Sequence, residues 1–210
     1  MRNPNPNLIQ QIKEAALKLL MEKEPSQIGM RDIAFECGIT ATNIYHYFKD
    51  KDKLFQSVSL DCLNQLNERI KESAARGKTI KLQIKNAVTA YRDWCFENPR
   101  RCLLVMQGIK SADDITPEQM EEFYVCNRTG EKLLREAIKQ GLARSTDPRF
   151  DVSLLVSGLW GCIESVLLKK CEVEFWNNGI AYTDRFIKMW CNSVFIEEDR
   201  GKYEKDINNA

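Results

Sequence analysis

Apolar side chains recur along nearly the whole chain at three- and four-residue spacing, with no sustained alternation of apolar and polar positions. Ile9, Ile12, Ala16, Leu19 and Leu20 form one stripe, so residues 7–23 are predicted as an amphipathic helix ended by Pro25. A short helix over 30–37 stops at Gly38, in the place of a left-handed C-terminal glycine, and a third covers 41–48. Asp50 reads as the N-cap of a long fourth helix with Leu54, Val58, Cys62 and Leu66 on one stripe. "SAARGKT" (73–79) marks a break in the body of the chain. Further helices are predicted over 80–97, about 101–110, about 117–140, 150–170 and 181–196, with a disordered tail over 197–210. The fold class is all-α: a three-helix N-terminal unit (1–58) followed by a helical body (59–196).

Composition narrows the chemistry. Of 210 residues, 43% are hydrophobic and 29% charged, enough for a real core, and the net charge is only +1. Residues 1–58 carry eight Lys/Arg (2, 13, 18, 23, 31, 49, 51, 53) against seven Asp/Glu (14, 22, 24, 32, 36, 50, 52), again +1. A polyanion must therefore meet a local patch. The eight cysteines contain no C-x-x-C pair and there is one histidine, so no metal site is expected. Reduced thiols acting as small hydrophobes fit a cytoplasmic protein, with a redox switch as the alternative. No signal peptide is read at the polar start, and no stretch is read as a membrane span; the longest candidate, 152–168, contains Glu164. Glu-x-x-His pairs, Gly-rich phosphate loops and H-E-x-x-H are absent, which speaks against an enzyme and against a cofactor.

The segment "MRDIAFEC-GIT-ATNIYHYF" is two short helices around a glycine turn, the arrangement of a helix-turn-helix. Ile33, Ala34, Ile39, Ile44 and Phe48 are placed inward, leaving Thr40, Thr42, Asn43, Tyr45, His46 and Tyr47 outside. Short hydrogen-bonding side chains suit base edges and phenols suit phosphates. Lys49 and Lys51 at the start of the fourth helix add charge where free N–H groups also favour a phosphate.

These residues resemble the DNA-binding segment of the tetracycline-repressor (TetR) family over roughly residues 8–58, through IA…G-I-T…I-Y-H-Y-F-K-D-K-D-K-L. The resemblance implies a homodimer whose C-terminal body binds a small-molecule effector and sets the spacing of two heads on an operator. It puts Tyr45, Tyr47 and Lys51 at phosphate-contact positions and Thr40, Thr42, Asn43 and His46 on the recognition helix. Gly29 stands where the family usually has a capping Ser or Thr, and Asn43 where a smaller residue is commoner.

Farther on, "YRDWCFENPRR" and "LWGCIESVLLK" resemble family members more loosely. Ser153, Ser157, Gly161 and Ser165 repeat every four residues, and such a row lets two helices approach closely, as a dimer face or as packing within one subunit. Tyr91, Trp94, Met106, Phe123, Tyr124, Asn127, Trp160 and Glu164 are candidates to line a ligand pocket, with Glu164 needing a partner such as Arg92 or a cationic ligand.

Overall fold

The structure, a computed structural model, describes residues 5–108 and 116–196. The predicted tail over 197–210 lies outside the described residues. Eleven α-helices are present among those described: α1 Pro6–Glu22, α2 Met30–Cys37, α3 Ala41–Tyr45, α4 Lys51–Ala75, α5 Ile80–Glu97, α6 Pro99–Gly108, α7 Pro117–Phe123, α8 Val125–Lys139, α9 Pro148–Leu167, α10 Val173–Asn177 and α11 Gly179–Val194. The only β pairing described is a single antiparallel bridge between Ala143 and Phe195.

Two compact units emerge. One holds the described residues up to Gln65 with those of Asn98–Phe123; the other holds Leu66–Glu97 and the described residues from Tyr124 onward. The division differs from the expected 1–58 and 59–196, because α6 closes the first unit. Its Cys102, Leu104 and Val105 are buried, Arg100 donates to the Leu20 carbonyl (3.5 Å), and the Leu104 carbonyl accepts from the Ser59 hydroxyl (3.1 Å).

In the first unit α1 packs on α2, with Ile12, Ala16, Leu19 and Leu20 of α1 and Ile33 and Ala34 of α2 buried, and Ile44 of α3 is fully buried. Lys13 pairs with Asp61 at 2.6 Å, tying α1 to α4. α1 ends before Pro25, which opens a single 3-10 turn over Pro25–Gln27.

In the second unit α9 is central, packed against α5, α8, α10 and α11. Its buried stripe is Val152, Leu155, Leu159, Ile163 and Val166. Two glycines set the close approaches: a methyl at Gly158 would lie 2.2 Å from Phe186 of α11, and one at Gly130 would lie 2.8 Å from Val152. Arg92, buried on α5, is neutralised by Asp93 and by Asp184 of α11. It is therefore not the partner of Glu164, which pairs with Lys170 at 3.4 Å.

Three local expectations are revised. The predicted helix over 117–140 is two, because Tyr124 leaves helical geometry at φ −90°, ψ 7°. An extra short helix, α10, fills the interval after α9. And α9 is long and apolar enough to cross a membrane by length and composition, where the sequence reading found no such stretch. Its inner face is buried against its neighbours.

Candidate nucleic-acid interface

Asn5 caps α1 and Gly38 ends α2, so the motif is framed by ordinary backbone chemistry. Gly38 takes φ 68°, ψ 29°, the left-handed conformation only glycine adopts without cost, and Ile39 N–H returns to the Ala34 carbonyl (3.0 Å). Gly29 has no side chain to cap α2, yet its own N–H donates to Asp32 Oδ2 (2.7 Å), so one half of a capping box remains.

Thr40 is the N-cap of α3, its hydroxyl accepting from Asn43 N–H at 3.4 Å. Regular helix ends at Tyr45, sooner than predicted, but Tyr47 and Phe48 N–H groups both donate to the Ile44 carbonyl (2.9 Å each), so the turn continues. Ile44 and Phe48 anchor this element from below, while Ile39 is only half-buried. Thr40, Thr42, Asn43, Tyr45, His46 and Lys49 are exposed together; Tyr47 and Lys51 are half-buried.

The start of α4 differs from expectation in its chemistry. Asp50 does cap it, accepting from Lys53 N–H at 2.8 Å, and so places a carboxylate where a phosphate was expected to find free N–H groups. Lys51 Nζ donates to the Pro25 carbonyl (3.1 Å) and sits 5.7 Å over the Phe55 ring. Lys49 is the exposed cation of the pair.

Residues 12–58 match the family profile of bacterial regulatory proteins, tetR family. This N-terminal segment is similar to the TetR family's. Solved structures share the fold beyond it. A TetR-family regulatory protein from Rhodococcus RHA1 has a TM-score of 0.68 at 15% identity, covering 91% of this chain and 98% of that one. A TetR-family transcription regulator from Shewanella sp. PV-4 has 0.67 at 16%, covering 90% and 99%. SmeT, the repressor of the Stenotrophomonas maltophilia multidrug efflux pump SmeDEF, has 0.64 at 16%, covering 90% and 91%. Among curated proteins no sequence matches the chain. Within the matched residues α2 and α3 form the helix-turn-helix, and α3 is the element that carries the exposed polar set.

The other candidate residues fall as follows. Met106 and Phe123 belong to the first unit and Tyr91, Trp94, Tyr124, Asn127, Trp160 and Glu164 to the second. Tyr91 and Trp94 are buried; Asn127 Nδ2 donates to Ser153 Oγ at 3.5 Å. Ser153 thus turns toward α8, and Ser165 Oγ back-bonds to the Gly161 carbonyl (2.8 Å). Ser157 and Gly161 are exposed, and a methyl on Gly161 would meet nothing within 4 Å. They continue a line begun by Phe150 and Leu154, 60% and 52% exposed. Periodicity missed these two apolar members because a serine row was the more regular signal. Among the described residues no group of three or more His, Cys, Asp or Glu could hold a metal ion.

Proposed function

We propose that the protein is a ligand-responsive transcriptional regulator, acting in the cytoplasm as a repressor, which binds a pseudo-palindromic operator as a homodimer and leaves it when a small molecule binds the body. The observation that carries this is the set Thr40, Thr42, Asn43 and His46, exposed on a helix whose other side is held by buried Ile44 and Phe48. Those four side chains read base edges, while Tyr45, Tyr47, Lys49 and Lys51 hold phosphates.

Dimerisation is supported by the outer face of α9. Phe150, Leu154, Ser157 and Gly161 are three and four residues apart, and Met189 of α11 is 62% exposed. Exposed apolar side chains in line with a residue that has no side chain suit the isologous pairing of two copies. The effector is taken up by the second unit, with Tyr91, Trp94, Tyr124, Asn127, Trp160 and Glu164 as candidate lining residues.

A cysteine-based sensor fits less well. Burial pushes the thiols of Cys62 and Cys126 up to about 11, and raises those of Cys37 and Cys162, so the reactive thiolate is scarce at neutral pH.

The test is binding of the full-length protein to the duplex upstream of its own coding sequence, with sedimentation run on the same sample. Expected are a dimer and tighter binding to that duplex than to random DNA. Equal binding to both, or none, would overturn the base-reading role; a monomer would overturn the pairing.

A further inference from the structure

Phe35 on α2 is 88% exposed, the highest value among the described large hydrophobic residues. A lone exposed apolar residue elsewhere on a surface needs no explanation. This one stands on the DNA-binding motif.

Its direction follows from its neighbours on the helix. Met30, Ile33 and Ala34 face the core. The flank toward α1 is marked by Glu36, which accepts from Lys18 Nζ, and by Cys37, whose Sγ donates to the Gln11 carbonyl at 3.6 Å. At 100° per residue Phe35 leaves from the flank away from α1, one turn after exposed Arg31. Helical side chains lean toward the N-terminus of their own helix, so the ring covers the surface beside Arg31. α2 packs on α3 as well as on α1, and Thr40, Thr42 and Asn43 at the start of α3 are exposed, as Phe35 is.

We propose that Phe35 extends base reading from α3 onto α2 by contacting the C5-methyl group of a thymine at the edge of the major groove. The inference rests on DNA reading by α3. A phenyl ring has neither charge nor donor for a phosphate, and the thymine methyl is the apolar group that the major groove presents. Its place beside Arg31 gives the ring a cationic neighbour to hold the backbone near it.

The experiment begins with sites selected by the full-length protein from a random duplex pool. The recovered operator is resynthesised with deoxyuridine in place of one thymine at a time, which removes only a methyl group. Binding is compared for wild type, Phe35→Ala and Phe35→Leu. At one thymine per half-site the wild type should lose about fourfold in affinity, the figure for one buried CH₂-sized group. Phe35→Leu should keep part of that loss and Phe35→Ala none, while losses at other thymines stay as in the wild type. Because Phe35 lies outside the core, the thermal melt of Phe35→Ala should overlay that of wild type. An unchanged deoxyuridine profile in Phe35→Ala, or an equal loss on operator and random duplex, overturns the proposal. Failure of the wild type to select any site overturns DNA reading by α3, and this inference with it.

Discussion

Tyr45 and Tyr47 leave the recognition element two positions apart and end in different surroundings: Tyr45 is 54% exposed, Tyr47 half-buried against the turn that carries Phe48. A hydroxyl on the exposed ring is free to swing to a phosphate, so Tyr45→Phe should weaken binding to every duplex alike. Lys49→Ala should also act alike on all sequences and lower the salt slope by about 1, since one counterion fewer is released. Asn43→Ala and His46→Ala should instead change which bases are preferred, at about 1–3 kcal/mol per lost base contact. Titrations on operator and random duplex at several salt concentrations separate the two groups; equal losses on both duplexes for Asn43→Ala and His46→Ala would rule out base reading there. These exposed positions were legible in the sequence, because inward Ile44 and Phe48 fix the remaining faces of the turn. The tie from Lys51 to Pro25 was not, since nothing in residue spacing brings a backbone carbonyl 26 positions away to an ammonium. A second residue-scale prediction concerns Cys62, fully buried on α4, whose thiol rises from 9.0 to about 11 mainly through burial. The folded state binds this proton more tightly than the unfolded one. The stability linked to it is therefore complete below pH 9 and is lost as pH rises through about 11, on the order of 2–3 kcal/mol in all. Urea melts from pH 8 to 11 should fall more steeply for wild type than for Cys62→Ala, whose lower baseline reflects the lost packing.

Helices α9 and α11 show how two glycines on one helix come to mean different things. Gly158 is where α11 approaches: any side chain there drives into Phe186, so Gly158→Leu should destabilise the subunit itself by more than the 1–3 kcal/mol usual for overpacking. Gly161, three residues on, faces open space within the subunit. Gly161→Leu should leave the subunit folded, and Gly161→Ala should stabilise an uncovered helix by about 1 kcal/mol. If this face pairs two copies, Gly161→Leu should nonetheless give a monomer by sedimentation and lose operator binding, since one head makes too few contacts. A Gly161→Leu protein that stays dimeric would remove α9 from the interface. Spacing alone could not separate these glycines, because a helical period says which residues share a face and not what lies opposite. The same limit explains Ser153, which belongs to the regular serine row but turns to Asn127, and α7 and α8, which share one apolar period across the break at Tyr124. By contrast α1, α2 and the start of α4 were legible to within a residue or two, since Pro25, Gly38 and Asp50 punctuate them with side-chain-specific chemistry.

At the scale of the whole chain, α4 is the element with residues in both compact units: Lys51–Gln65 in the first and Leu66–Ala75 in the second. Its 25 residues make a rod about 37 Å long, with Lys51 at one end and buried Ile70 and Ala74 near the other. Two heads reading successive major-groove faces must keep about 34–36 Å between them, a spacing that tolerates little tilt of such a rod. The hypothesis is that an effector packed near Trp160 favours a tilt of α4 that the operator does not. A ligand shifts an equilibrium only by its differential affinity for the two states, typically ~1–3 kcal/mol, or roughly 5- to 150-fold in affinity. Linkage makes the effect mutual: whatever factor the effector takes from operator binding, saturating operator must take from effector binding. Calorimetry of an effector found by thermal-shift screening, with and without saturating operator duplex, reads both factors. Equal effector affinities in the two titrations would leave the second unit as a dimerisation scaffold, and α4 as a rigid spacer that passes no signal. A matched loss in both directions, abolished by a substitution such as Trp160→Ala that removes effector binding while leaving the dimer intact, would make α4 the coupled element. Proline placed in the middle of α4, at exposed Asn64, breaks the rod at a cost of about 3 kcal/mol and should uncouple the two titrations even where both ligands still bind.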